Sequence, residues 1–247
     1  MSTYRTAVIT GASRGIGAAT AKALTKRGMQ VIAIGRSAEA LEALKAEIDC
    51  TVLPLDIADM DAVMAALKDV EADVLVNNAG TMTQAAPFAE LDLLELQQSV
   101  DVNLKGTLAV TRALLPGMIE RRRGHLFFIT SMIGPNAAPN ASVYAATKAG
   151  VRALASCLRL ELAGKRVRVT EIAPGRVHTT FFGPSFKGDM EAVEKTLFDE
   201  YDALEPADVA TALTGALDLP EHADISRIEI TSTDQALGGM TYAKRAS

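Results

Sequence analysis

Short apolar runs of strand type alternate along this chain with longer stretches in which apolar residues recur every three or four positions. The short runs are RTAVIT, VIAIG, CTVLPL, DVLVNNAG, HLFFIT, RVRVTEIAPG and ISRIEIT. The segments 15–28, 37–48, 59–69, 89–120, 142–164 and 206–217 have the spacing of helices packed on a sheet by one face. Seven strands separated by helices pair in parallel, so the pattern predicts an α/β fold with a doubly wound, seven-stranded, Rossmann-like sheet.

The chain has 247 residues, a length that open α/β sheets often reach as one domain. No Pro/Ser-rich linker, repeat or low-complexity tract divides it, so residues 1–247 are expected to form a single domain. One stretch breaks the alternation: residues 179–205, TTFFGPSFKGDMEAVEKTLFDEYDALE, hold four of the seven phenylalanines. A long excursion after a strand is where such sheets bind ligands, and a mobile substrate lid is expected there.

Composition narrows the function classes. Hydrophobic residues make up 49% and charged residues 22%, as in a folded globular protein. The net charge of −5 comes with no basic tract longer than Arg121, Arg122 and Arg123, which excludes a broad nucleic-acid-binding surface. Those arginines follow a helical pattern and meet the negative end of its dipole. Cys50 and Cys157 are the two cysteines, without a CxxC, so neither a disulfide framework nor a Cys-based metal site is expected. The amino end lacks a signal-peptide layout and no apolar run approaches the roughly 18 residues of a membrane span; a cytoplasmic protein is expected.

Candidate chemistry begins at TGASRGIG, where Gly11, Gly15 and Gly17 follow the first strand and open the first helix. Glycines there permit a tight turn and let a phosphate approach backbone N–H groups at the positive end of a helix. Tyr144 and Lys148 are four apart in a segment of helical period and so project from one face.

The G-x-x-x-G-x-G spacing, NNAG at 77–80, Ser131, Y-x-x-x-K at 144–148 and PG at 174–175 together resemble the classical short-chain dehydrogenase/reductase family over nearly the whole chain. The resemblance implies a catalytic set of Asn103, Ser131, Tyr144 and Lys148. It implies a nicotinamide dinucleotide held by Gly11, Ser13, Arg14, Gly15, Ile16 and Gly17, with Asp56 and Ile57 bordering the adenine. Asn77, Ala79 and Gly80 would lie by the adenosine ribose, and Pro174, Gly175, Val177 and Thr179 by the carboxamide. Tyr144 and Lys148 would touch the nicotinamide ribose.

Where an NAD enzyme of this kind offers an acid to both ribose hydroxyls, this chain has Gly35 followed by Arg36. With Arg14 in the glycine loop, two guanidiniums can pair with a 2′-phosphate, so NADP(H) is the expected cofactor. A free phenol has a pKa of about 10; the ammonium of Lys148 is expected to favour the phenolate, Ser131 to donate to the substrate oxygen, and Asn103 to relay protons through a water held by its helix backbone.

The substrate pocket is expected from Met132, Ile133, Asn136, Ser131, Tyr144, Phe181 and Phe182, with Met82, Asn140, Val143 and Phe186 beside them. That lining suits a small or medium carbonyl or alcohol with an apolar body. His178 is expected to face outward, with no second His or carboxylate near it to suggest a metal. The helices 89–120 and 142–164 carry apolar residues beyond one stripe, and the resemblance implies a homodimer or homotetramer through them. Two alternatives are a 3-oxoacyl-(acyl-carrier-protein) reductase, which wants basic residues at the pocket mouth, and a non-catalytic NADPH-binding regulator, which wants an incomplete catalytic set.

Overall fold

The computed structural model of the chain describes residues 4–136, 138–200 and 202–235; the remaining parts of the expected 1–247 domain lie outside the described residues. Its strands are β1 (Thr6–Thr10), β2 (Gln30–Gly35), β3 (Thr51–Pro54), β4 (Val74–Asn77), β5 (Gly124–Ile129), β6 (Val167–Pro174) and β7 (Arg227–Ile230). They form one sheet, ordered β3-β2-β1-β4-β5-β6-β7, and every neighbouring pair is parallel. The helices are α1 (Gly15–Lys26), α2 (Ala38–Glu47), α3 (Met60–Leu67), α4 (Leu93–Val100), α5 (Thr107–Glu120), α6 (Ser142–Glu161), α7 (Met190–Leu197) and α8 (Pro206–Leu217).

Both faces of the sheet are covered, which is why its strands read as continuous apolar runs. Ala7, Ile9, Val31, Ala33, Val74, Val76 and Phe127 face α1, α2 and α8 through Leu24, Leu41 and Leu213. The alternate residues Val8, Ile34, Leu75, Leu126 and Phe128 face α3, α5 and α6 through Leu67, Leu114, Met118 and Val151. Truncating one such core leucine to alanine costs about 2–5 kcal/mol.

The chain winds outward from β1 in one direction through β2 and β3, then resumes at β4 on the other side. At that reversal the connections leaving β1 and β4 run to helices on opposite faces of the sheet, and the carboxyl ends of the two strands border a crevice.

The expected helix 89–120 is not one helix. Residues Phe88–Glu90 make a 3-10 turn, and Asp92 caps α4 by accepting from Leu94 N at 2.7 Å. A π turn at Asp101–Gly106 separates α4 from α5. The stretch 179–205, read from sequence as irregular, contains a 3-10 turn (Thr180–Phe186) and α7, started by the Asp189 carboxylate accepting from Ala192 N at 2.9 Å. The three arginines after α5 serve the fold: Arg121 Nη2 donates to Ala72 O at 2.8 Å, and Arg123 pairs with Asp73 at 3.1 Å.

Of the apolar residues counted as surplus on the long helices, Val151, Ala155, Leu158 and Leu162 pack into this chain's own core. Leu93 and Leu94 are 78% and 68% exposed.

Candidate active site

A cavity of about 660 Å³ runs along the carboxyl ends of the strands, from Arg14 and Arg36 at one end to Phe181 and Phe182 at the other. The glycine loop forms its floor. Gly11 has φ +65°, and a methyl group there would sit 2.8 Å from Ala79 Cα; one on Gly17 would sit 2.2 Å from Gly11 O. These positions need glycine so that the loop after β4 can press against the loop after β1. Gly17 is itself buried and does not line the cavity, so its part is this close packing.

Two residues to which the sequence assigned no role, Thr10 and the second asparagine of NNAG, fasten that contact. Thr10 Oγ1 accepts from Asn78 N and Ala79 N, both at 3.0 Å, and Asn78 Nδ2 donates to Thr10 O at 2.9 Å and Gly11 O at 3.1 Å. Asn77, expected beside the ribose, is turned the other way by the alternation of the strand. It is buried, donates from Nδ2 to Thr111 Oγ1 at 3.1 Å, and lies outside the cavity lining.

Helices α2, α3, α4 and α7 begin with a Ser or Asp side chain accepting a backbone N–H; α1 does not. It follows Arg14 with no side-chain cap and no acid in its first turn, and Gly15 and Ile16 line the cavity. Its free N–H groups suit a phosphate. Ser13, Gly35, Arg36, Asp56, Ile57, Ala79 and Gly80 line the same end. Among the described residues Arg14 and Arg36 are exposed and have no ion-pair partner, as a phosphate-binding pair requires.

At the other end, Tyr144 and Lys148 occupy successive turns of α6 and are both buried. Ser131, two residues beyond the end of β5, lines the cavity with Tyr144 and favours its phenolate, and its Oγ is held by accepting from Ile133 N at 3.0 Å. Lys148 Nζ lies 5.8 Å from the Tyr144 ring centroid and donates to Ile129 O at 2.8 Å. An ammonium has three N–H groups, so those not used on Ile129 are available to a ligand's hydroxyls. Gly80 makes room: a methyl group there would stand 3.3 Å from Asn103 Oδ1 and 3.5 Å from Lys148 Nζ.

Asn103 sits in the π turn, is 1% exposed and does not line the cavity. Its Oδ1 accepts from Thr81 N at 2.7 Å, and the two N–H groups of its Nδ2 are shared among three acceptors, Thr81 O at 2.9 Å, Thr147 Oγ1 at 3.1 Å and Ser99 Oγ at 3.2 Å. The amide is fully engaged. Its backbone carbonyl accepts from Thr107 Oγ1 at 2.9 Å and keeps a second lone pair.

The electrostatics differ from the sequence-based expectation. Burial pushes the Tyr144 hydroxyl up to about 12, opposed by its bond to Ser131, and the Lys148 ammonium does not pull it down. Burial also pushes Lys148 down to about 8. The ammonium is aimed at Ile129 O rather than at the phenol, and burial opposes its charge as it opposes the phenolate's.

Pro174, Gly175, Val177 and Thr179 line the cavity after β6, and Met82, Met132, Ile133, Asn136, Asn140 and Phe186 line its substrate end; Val143 is buried outside it. The Phe181 ring centroid is 5.8 Å from that of Tyr144, and Phe182 meets Phe181 edge-on at 5.8 Å. Ser185 Oγ donates to Thr83 O at 3.4 Å, joining this segment to the loop after β4. Gln235, unmarked in the sequence, also lines the cavity, and its Oε1 accepts from Arg176 N at 2.9 Å.

His178 lies outside the cavity with its side chain 43% exposed. It does have carboxylate neighbours: Nε2 is 3.0 Å from Glu194 and Nδ1 is 3.3 Å from Glu205, groups that are distant in sequence and brought together by the fold. Among the described residues no cluster of metal-ligating side chains is found, and no helix is long and apolar enough to cross a membrane.

Residues 5–189 match the family model described as short chain dehydrogenase. The chain belongs to that family. An uncharacterized short-chain type dehydrogenase/reductase of Sinorhizobium fredii, y4eK, is 39% identical over 244 residues, covering 99% of this chain and 98% of the relative. The NADP-dependent 3-hydroxy acid dehydrogenase YdfG of Salmonella typhi is 38% identical over 242 residues, 95% of this chain and 97% of its own. Among solved short-chain dehydrogenase structures, the closed form of serine dehydrogenase complexed with NADP+ superposes with a TM-score of 0.90 at 36% identity, covering 97% of this chain and 100% of that one.

Proposed function

We propose that this chain is an NADP(H)-dependent oxidoreductase that interconverts a carbonyl and an alcohol on a small or medium substrate, with Tyr144 as proton donor. The observation that carries the reading is the convergence of Ser131, Tyr144 and the Lys148 ammonium, 5.8 Å from the Tyr144 ring centroid, on one end of the cavity. Bound NADPH supplies the hydride that reduces the carbonyl carbon.

A phenol held at about 12 carries its proton at neutral pH, the form that reduction of a carbonyl uses. Tyr144 gives that proton to the substrate oxygen while Ser131 donates a second hydrogen bond to the developing alkoxide. Lys148 uses its remaining N–H groups on the ribose hydroxyls of the cofactor, and the Asn103 carbonyl holds the water that returns a proton to the site. The uncapped end of α1 receives the pyrophosphate, and Arg14 and Arg36 receive the 2′-phosphate. The names of YdfG and of the serine dehydrogenase structure support the same cofactor and put 3-hydroxy acids first among substrates to try.

Residues 179–205 act as a lid over the apolar end of the cavity. Exposed Leu93 and Leu94 on α4 support assembly into a homodimer or homotetramer.

The test is spectrophotometric: NADPH oxidation with aldehydes, ketones, 3-oxo acids and acyl thioesters, and NADP+ reduction with 3-hydroxy acids and serine. Turnover with NADPH and not NADH supports the proposal. Tight NADPH binding without turnover of any of these would instead establish a binding protein.

A further inference from the structure

His178 has no part in the proton chemistry above, yet its side chain is held on several sides at the point where the chain enters the 179–205 segment. Its two ring nitrogens meet carboxylates from different elements, Glu194 on α7 at 3.0 Å and Glu205 just before α8 at 3.3 Å. Its ring packs on Phe198 with centroids 4.4 Å apart. From there a continuous aromatic path leads inward: Phe198 to Phe182 at 6.0 Å, Phe182 to Phe181 at 5.8 Å, and Phe181 to Tyr144 at 5.8 Å. Phe198 is 4% exposed, so the path is packed rather than loose at its middle.

We propose that His178 is a positioning residue for the substrate wall: clamped as a cation between Glu194 and Glu205, it fixes α7 and, through Phe198 and Phe182, sets Phe181 against Tyr144. It rests on the proposed function only in its kinetic consequence. The chain on either side is already anchored, because His178 N donates to Leu204 O at 2.8 Å and Leu204 N to Arg176 O at 3.0 Å. What the clamp adds is the attachment of α7, otherwise tied to this strand by Arg176 Nη1 donating to Leu197 O at 2.9 Å.

The charged groups around the imidazole set the sign of its pH dependence. Glu194, Glu205, Asp199 and Asp202 border the depression of about 230 Å³ in which it lies, and Arg176 stands two residues before it on the same strand extension. The imidazole's pKa is raised above its ordinary 6.5, chiefly by the bond to Glu194. The cation that binds both carboxylates is therefore present at pH 6 and lost as pH rises through that raised value.

Hydrogen–deuterium exchange of peptides covering 180–198 decides the matter without turnover. At pH 6 the wild-type chain exchanges more slowly there than His178→Gln, and at pH 9 the two are equal. His178→Arg, a permanent cation with a planar fork, keeps the slow exchange at both pH values. Equal exchange of wild type and His178→Gln at pH 6 overturns the proposal. So does a difference that persists at pH 9, or fast exchange in His178→Arg at pH 6.

With NADPH and 4-nitrobenzaldehyde, KM of the wild type relative to His178→Arg rises about two- to five-fold between pH 6 and 9, while the kcat ratio holds. A change in kcat without KM contradicts a positioning role. Failure of the aldehyde to react at all counts against the proposed activity, and the exchange result still decides the clamp.

Discussion

Asn103 grips the backbone of Thr81 with both ends of its amide, Oδ1 accepting from Thr81 N at 2.7 Å and Nδ2 donating to Thr81 O at 2.9 Å. The arrangement copies one rung of a sheet ladder with a side chain, and it ties the loop after NNAG to the π turn. The same Nδ2 reaches Thr147, whose hydroxyl donates to Tyr144 O at 2.9 Å. Asn103 thus joins the β4 loop, the π turn and the helix of Tyr144 and Lys148.

Asn103→Ala is expected to strand the buried groups of Thr81 and cost about 3 kcal/mol, a penalty in the usual range for unsatisfied buried polar groups. A thermal melt should show a drop of roughly 6–12 °C for a domain of this size. Activity should fall along with stability, and a variant that melts like the wild type would mean the grip is dispensable.

Tyr144→Phe retains the ring that meets Phe181 and removes the proton. We expect kcat to fall about 10²–10⁴-fold, the usual weight of a general acid. NADPH affinity and far-UV circular dichroism should stay as they are. Normal turnover by this variant would remove Tyr144 from the chemistry.

Much of this was open to reading in sequence, and the pattern of what was not has a physical basis. The short apolar runs and helical stretches put all seven strands in place because parallel strands buried on both faces must be apolar throughout. The glycine loop, Ser131, Tyr144 and Lys148 come to one cavity from positions that the family resemblance had marked. Asn77 and Asn78 were indistinguishable by type, and strand alternation decided which faces the glycine loop. The break at Asn103 left no mark, since its partners Thr81, Ser99 and Thr147 are ordinary polar residues until folded. The start of α7 was legible: Asp189 with Glu191 in the first turn is a cap signal, masked by the glycines and phenylalanines before it.

Arg36→Asp tests cofactor selection. Losing one charge-assisted contact to a 2′-phosphate should weaken NADPH binding by about 10- to 100-fold, from the roughly 1.5–3 kcal/mol of such bonds. NADH affinity should change little or improve. Isothermal titration with both cofactors reads this out, and equal losses for the two would count against a 2′-phosphate site at Arg14 and Arg36.

Lys148 gives a pH limb. Its ammonium is held down to about 8 by burial, so kcat/KM for reduction should decline as pH rises through that value. The linked effect on stability has the opposite sense. Between about 8 and the ordinary 10.5 the unfolded chain binds a proton that the folded chain does not, so raising pH across this window stabilises the fold. Lys148→Met should lose both trends, in rate profiles and in melts at pH 7 and 9.5.

Strand β1 is bordered by β2 on one side and β4 on the other, and the chain completes the first neighbour long before it begins the second. While the protein is being synthesised, the Thr6–Thr10 ladder therefore has a raw edge until Val74–Asn77 leaves the ribosome and docks. Val8 and Ile9, fully covered at the end, lie on that edge. A chain truncated between β3 and β4 presents that edge without its partner, the kind of open strand edge that pairs with another copy. The seam that later borders the ligand crevice is thus the last join of the first half of the sheet to close.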